Sequence, residues 1–439
     1  MASTLTHNSS LPVSALAWAN ERGGSSLPRL ALGSYVEDYS NQLQVIGLSS
    51  SLPLSEPDVP PTGVDGGDFN ILAQAHHGYP PTKVAWEPIS KRRNELIAST
   101  SDVLKLWEFN EFNQSNQSNF NGNIHNPINT QPSSLNLVAQ LTPKTPGTAA
   151  PLTSFSWNHS TPSRIVTSSI DTTCTVWDLE TRTPITQLIA HDREVYDVSW
   201  LPRSSDIFVS VGADGSLRAF DLRSLEHSTI LYETSAIDKR RAQPNTQSNI
   251  PNKNDNSPIT STSTTNAPLL RLSFNPYDSN YLATFRADSG DVHVLDMRSP
   301  GAPVTNIRAH TRGVSGIAWK PDGGVLATGG DDGAVHLWDV KRGEKVGDKT
   351  GSNGMSRQSS SVSNKPSLLK DSVLSYRGAS PVHSLAWGSV PSVVGKRSSW
   401  EDWIAVGGQS QTIDCNGNIP QSCAVCIWVI TENNETALN

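Results

Sequence analysis

Two short constellations in the sequence could do chemistry. His191, Ser210 and Asp214 are matched, type for type, by His310, Thr328 and Asp332. An imidazole set beside a carboxylate is the kind of arrangement that serves a general base. In each copy the histidine stands four residues before a valine, Val195 or Val314, and nine before a tryptophan, Trp200 or Trp319. A further aromatic completes each set: Trp338 can donate a hydrogen bond, and Phe220 cannot. The same arrangement recurs with its loop and its turn, which favours a buried structural network over a reaction centre.

The elements that must carry these residues follow from a longer repeat. Trp177-Asp178 returns as Trp338-Asp339 and, weakened, as Phe220-Asp221 and Leu295-Asp296. Each copy ends an apolar stretch at a near-constant distance from an earlier aromatic. Trp86 to Trp107, Trp157 to Trp177, Trp200 to Phe220, Phe274 to Leu295 and Trp319 to Trp338 span 21, 20, 20, 21 and 19 residues. Two looser units, around Trp18 and Ile46 and around Trp387 and Trp428, bring the number to seven. Only Trp400 and Trp403 lie outside the two repeat positions, so the other ten of the 12 tryptophans are explained by one pattern. In Val335-His-Leu-Trp338 the apolar residues alternate with the period of a strand. Asp332-Gly333 reads as a type I′ hairpin, with positive φ at both central residues.

The repeat predicts an all-β chain: a seven-bladed WD40 β-propeller made from residues 1–439 as one domain. The blades fall near 11–48, 79–109, 151–181, 190–223, 268–298, 309–340 and 381–430. Between or within them, 49–70, 110–150, 235–267, 341–371 and 409–422 are rich in Asn, Gln, Ser and Pro and read as disordered insertions. A propeller avoids a free edge by closing its ring with a strand from the opposite terminus, for which residues near Ser3 to His7 are available.

Bulk composition narrows the function. A net charge of -7 argues against direct nucleic-acid binding. No apolar run reaches the length of a membrane span, and Met1 to Asn20 lacks the basic start and apolar stretch of a secretory signal, so a soluble intracellular protein is expected. Four cysteines make no disulfide framework. Cys423-Ala-Val-Cys426 runs into a strand, where residues three apart face opposite ways, so no structural zinc is expected there.

No phosphate loop, dinucleotide fingerprint, nucleophile elbow or zinc-protease motif is present, and no catalytic residue, cofactor or metal site is assigned. One acidic residue beside each inter-strand turn (Asp171, Asp214, Asp288, Asp332) recurs around one face, too widely spaced to share an ion. The same face is expected to collect Asp192, Arg193, Glu194, Tyr196 and Arg312, a mixture suited to gripping a peptide. Phe220-Asp-Leu-Arg223 and Leu295-Asp-Met-Arg298 are similar to the Trp-Asp-x-Arg box by which some propellers dock on the adaptor of cullin-4 ubiquitin ligases. Thr142-Pro143, Thr145-Pro146, Ser257-Pro258 and Arg357-Gln-Ser-Ser360 are kinase-type sequences in the insertions, and Lys91-Arg-Arg93 and Lys239-Arg-Arg241 are short basic clusters of the nuclear-import kind.

Several stretches say more than blade packing requires: Arg29 to Tyr39, Thr167 to Trp177, Gln187 to Asp197, and Phe220-Asp-Leu-Arg-Ser-Leu-Glu-His-Ser-Thr-Ile230. They resemble the family that includes the plant anthocyanin and trichome regulator Transparent Testa Glabra and the animal WD-repeat partner of DYRK and HIPK kinases. The resemblance implies a non-enzymatic adaptor of nucleus and cytoplasm, with a DYRK-like protein kinase and transcription factors as partners. A substrate receptor of a cullin-4 ligase, acting through Arg223 and Arg298, is the alternative. Long polar insertions set this chain apart from that family.

Overall fold

Alternating apolar residues build strands that pair with their neighbours in sequence, and the pairing breaks only where the ring must close. The computed structural model describes residues 3–9, 11–20, 28–48, 69–88, 95–110, 133–142, 150–234, 266–340, 366–378, 380–391, 400–408 and 423–430. Strand β1 (Ser3–Ser9) stands apart at the start. The first blade is β2 (Val13–Trp18), β3 (Arg29–Ser34), β4 (Asn41–Leu48) and β5 (Phe69–Gly78). The second is β6 (Lys83–Trp86), β7 (Glu95–Thr100), β8 (Leu104–Asn110) and β9 (Ser134–Leu141). The third is β10 (Leu152–Trp157), β11 (Arg164–Ser169), β12 (Thr173–Asp178) and β13 (Thr183–Ile189). The fourth is β14 (Val195–Trp200), β15 (Ile207–Gly212), β16 (Ser216–Asp221) and β17 (Ser224–Glu233). The fifth is β18 (Leu269–Phe274), β19 (Tyr281–Arg286), β20 (Asp291–Asp296) and β21 (Thr305–Arg308). The sixth takes β22 (Val314–Trp319), β23 (Val325–Gly330) and β24 (Ala334–Asp339). After it, β25 (Ser367–Leu369) adds in parallel to β21 of the fifth blade, and β26 (Leu374–Arg377) completes the sixth. The last is β27 (Val382–Pro391), β28 (Trp400–Gly408) and β29 (Cys423–Ile430).

The described residues thus form seven sheets, the all-β WD40 propeller that the repeat predicts. Strand β1 closes it, antiparallel to β29 with Ser3 opposite Val429 and Ser9 opposite Cys423. None of the described residues belongs to a helix long and apolar enough to cross a membrane.

Three expectations need correction. The predicted blade limits leave out most outer strands, β5, β9, β13, β17, β21 and β26. The stretch 110–150 contains β9, whose Leu135, Ala139 and Leu141 are buried, and 341–371 contains β25. A short apolar alternation is diluted there by Asn-rich and Ser-rich surroundings. The hairpin at Asp332-Gly333 is not type I′: positive φ occurs at Gly333 (73°) but not at Asp332. Gly333 N–H bonds to Gly330 carbonyl at 3.1 Å, a four-residue turn followed by one left-handed glycine, as at Gly215 (77°). Residues 49–68, 111–132, 143–149, 235–265, 341–365 and 409–422 lie outside the described residues.

Blades stack by burying the faces of adjacent sheets. Leu96 and Ala98 of the second blade meet Phe155, Trp157 and Ile165 of the third, and Phe285 and Val292 of the fifth meet Trp319, Leu326 and Trp338 of the sixth. Each buried Leu, Ile, Val or Phe among them contributes about 1.5 to 3 kcal/mol on burial.

The two tryptophan positions have different duties. Three of those ending the innermost strand reach back to the preceding blade: Trp86 Nε1 donates to Ala17 carbonyl (3.0 Å), Trp200 to Ser156 (3.0 Å) and Trp319 to Ser273 (3.0 Å), whereas Trp157 donates to Pro162 carbonyl of its own blade (2.7 Å). Trp18 Nε1 donates to Ala386 carbonyl (3.2 Å), carrying the pattern across the join between last and first blades. Gly388 lies under that indole, where a Cβ would come within 2.5 Å of Trp18 Cγ. Those ending the third strand donate within their own blade, Trp107 to Ser99, Trp177 to Thr167 and Trp338 to Thr328.

A register shift marks the start of six innermost strands, between Val13 and Ala15, Leu152 and Ser154, Val195 and Asp197, Leu269 and Arg271, Val314 and Gly316, and Val382 and Ser384. The residue skipped lies four before the strand's aromatic. Its hydroxyl, where it has one, can reach the next blade: Ser14 donates to Pro81 carbonyl (2.8 Å) and Thr153 to Val195 carbonyl (2.6 Å). Thr82, at the same position of the second blade, donates to Leu152 carbonyl (3.0 Å).

Candidate functional site

The disc has two unlike faces. The upper carries the connections from each outer strand to the next innermost strand, together with the turns between second and third strands. The lower carries the remaining turns.

On the upper side the histidine constellations assemble. His191 is 1% exposed, and its Nδ1 lies 3.0 Å from Asp214 Oδ1 and 3.0 Å from Ser216 Oγ, with Nε2 2.7 Å from Ser210 Oγ. His310 Nδ1 lies 2.9 Å from Asp332 Oδ1, and Nε2 lies 2.9 Å from Thr328 Oγ1, which also accepts Trp338 Nε1–H at 3.0 Å. The carboxylate makes Nδ1 the donor, so each hydroxyl donates to Nε2. Both ring nitrogens are engaged and neither ring is exposed to a substrate. Burial would raise the Asp332 pKa, but Thr311 N–H and His310 outweigh it and hold the carboxyl at about 2. At Asp214 burial likewise opposes the lowering, and His191 and Ser216 outweigh burial.

A third network was missed in the sequence. His77 Nε2 accepts from Ser99 Oγ (2.8 Å), Trp107 Nε1–H donates to Ser99 (2.8 Å), and His77 Nδ1–H donates to Tyr79 carbonyl (2.7 Å). His77 stands nine residues before Trp86, the spacing of the other two, and that signal could have found it. Its Asp is replaced by a backbone carbonyl. Burial lowers its pKa to about 4.

The expected peptide-gripping face is only partly available. Asp171, Asp192, Arg193 and Arg312 are exposed, and Glu194 and Tyr196 are half-buried. Asp214 and Asp332 are corrected: with side chains 10% and 6% exposed they are consumed by their histidines. Asp192 is held by Arg218 at 2.7 Å. Tyr196 occupies the skipped position of β14, and its carbonyl accepts Arg271 Nη1–H at 2.9 Å.

The channel wall holds a polar layer that sequence reasoning also missed. Lys83, Ser154, Asp197 and Arg271 each lie three residues before the aromatic of successive innermost strands. Asp197 is 2% exposed, yet Lys83 Nζ (3.3 Å), Ser154 Oγ and Leu272 N–H (3.0 Å) bond to it. Burial would push its pKa up, and Lys83, Arg271 and these hydrogen bonds reverse the shift. The layer therefore joins the second to fifth blades around the channel.

On the lower face, the ends of β16 and β20 place Arg223 and Arg298 at equivalent corners of adjacent blades. Arg223 grips Asp221, Nε to Oδ1 at 2.9 Å and Nη2 to Oδ2 at 2.6 Å. Arg298 grips Asp296 in the same way at 2.9 and 2.7 Å, with its guanidinium 5.6 Å from the Tyr281 ring centroid. Both arginine side chains stay open to solvent, 68% and 59% exposed. The Asp221 pKa is held down to about 2 by hydrogen bonding to Arg223. A planar guanidinium fixed along one edge keeps donors on the other for a partner.

Among the described residues no cluster of His, Cys, Asp or Glu could hold a metal. Cys423 and Cys426 lie on β29, whose side chains are outside the described set.

The family described as WD domain, G-beta repeat matches residues 182–221 and 301–339. Over 407 residues, 92% of this chain and 96% of the relative, there is 36% identity to the DDB1- and CUL4-associated factor 7 homolog of Dictyostelium discoideum. An uncharacterized WD repeat-containing protein of Schizosaccharomyces pombe is 41% identical over 74% of this chain and 67% of its own length. A WD repeat-containing protein of Saccharomyces cerevisiae is 37% identical over 77% and 58%. These matches correct the sequence-based assignment to the Transparent Testa Glabra group: similarity along nearly the whole chain is to a factor named for DDB1 and CUL4.

Proposed function

Because the chain belongs to the family of the DDB1- and CUL4-associated factor 7 homolog, we propose that it is a non-enzymatic propeller adaptor that docks on the cullin-4 ligase adaptor by its lower face and presents a client on its upper face. One observation carries the reading: two neighbouring blades offer the same exposed arginine, each pre-oriented by a bidentate bond to the aspartate that ends its third strand. Holding the guanidinium in place beforehand reduces the ordering cost of docking. Kinases and transcription factors enter only as candidate clients, in nucleus or cytoplasm.

The test is direct binding of the purified full chain to DDB1. The double variant Arg223→Ala/Arg298→Ala should weaken it at least tenfold with an unchanged melting temperature, since both side chains are exposed. Absence of binding by the unaltered protein, or equal binding by the variant, would overturn the proposal.

A further inference from the structure

The upper face of the first three blades carries a surface unrelated to the arginine corners. Tyr35, Tyr39 and Tyr79 are 52%, 67% and 45% exposed, and the rings of Tyr39 and Tyr79 meet edge to face with centroids 5.0 Å apart. Three tyrosines spread on solvent are costly to leave bare and are the residues that interfaces favour. They are held in place from below: Asn41 Nδ2 donates to Val36, Asp38 and Gly78 carbonyls, and so fastens the β3–β4 turn to the end of β5. His76 Nε2 lies 2.7 Å from Tyr39 carbonyl.

Beside this patch, between the second and third blades, opens a small, shallow cleft. Leu141, Leu152 and Trp177 line its apolar base, and Asp102 and Asp171 its more exposed part. Asp102 lines the cleft, and the Tyr79 pKa is raised chiefly by its hydrogen bond to Tyr39 and least by the charge of Asp102. Lys105 balances Asp102 at 3.1 Å, while among the described residues the Asp171 carboxylate is tied to Thr173. Glu37 and Asp38 lie in the same β3–β4 turn as Tyr35 and Tyr39.

We infer that this surface docks an extended peptide segment of a partner protein that carries an arginine or lysine. Such a side chain has an apolar stem and a cationic head, which match a cleft with apolar base and carboxylate rim. A neighbouring residue of the peptide packs on Tyr39 and Tyr79, whose faces also attract cations. The acidic bias disfavours an acidic segment. The inference does not depend on docking to the ligase adaptor, which uses the other face.

A peptide-display selection on the immobilised full chain tests it. Enriched peptides should contain Arg or Lys beside an aliphatic or aromatic residue. Synthetic copies, measured by fluorescence anisotropy, should bind at least tenfold more weakly to Tyr39→Ala and to Asp171→Asn, and equally well to Arg223→Ala/Arg298→Ala. Both single variants alter exposed side chains, and their melting temperatures should match the unaltered protein. No enrichment, enrichment of neutral or acidic peptides, or undiminished binding by the variants would overturn the inference. So would self-association of the free protein that either variant abolishes, because that would assign the surface to a second copy.

Discussion

His77 is neutral at neutral pH because burial, not a charged partner, dominates its titration. Its folded pKa of about 4 lies below the ordinary 6.5 of the unfolded chain, so unfolding takes up a proton when the pH is between them. Stability is therefore full above about pH 6.5 and is lost as the pH falls toward 4. The loss from this one residue between pH 7 and 5 is about 2 kcal/mol. His7, His159, His310 and His336 are shifted the same way, chiefly by burial, and add to it. Thermal unfolding at pH 7 and 5 should show a smaller drop for His77→Gln than for the unaltered chain; equal drops would show that His77 is not a source of the acid sensitivity. The networks of His191 and His310 were legible because both copies carry the full residue set. That of His77 showed only the nine-residue spacing to Trp86, because its acceptor is a backbone carbonyl with no sequence signature.

The innermost strand is the element that joins one blade to the next. Thr153→Val keeps shape but leaves Val195 carbonyl without its donor, a loss of about 1 to 3 kcal/mol. Thr181→Val, at an exposed position, should cost nothing measurable. Chemical denaturation of the two variants decides this, and equal midpoints would remove the clasp from the account of blade cohesion. Innermost and third strands were readable because each ends in an aromatic at fixed spacing. Outer strands were not: β13 exposes Thr183, Ile185, Gln187 and Ile189 in turn, and an element with one wet face and one free edge is under weak constraint. The hydroxyls at Ser14, Thr82 and Thr153 stood in the sequence four residues before each aromatic, but only the skipped register explains why that position turns toward a neighbour.

For the whole molecule, closure rests on β1. Removing residues 1–9 strips β29 of its partner and leaves an open edge. The truncated protein should melt at lower temperature and form concentration-dependent oligomers in size-exclusion chromatography; an unchanged monomer with an unchanged melting temperature would count against β1 as the fastening. Seven units were legible from the start, whereas the client surface was not. Tyr39 and Tyr79 come from separate loops, and nothing in their spacing announces that their rings meet. The indole bonds of Trp86, Trp200 and Trp319 run the same way round, each to the blade before, and Trp18 carries that direction over the join onto Ala386 above Gly388. Seven wedges must sum to one full turn, so an angular misfit at any seam is passed along and added up. The join between the last blade and the first, with no room for even a methyl group, is where the accumulated error is read, and it makes Gly388 the gauge for the whole circle.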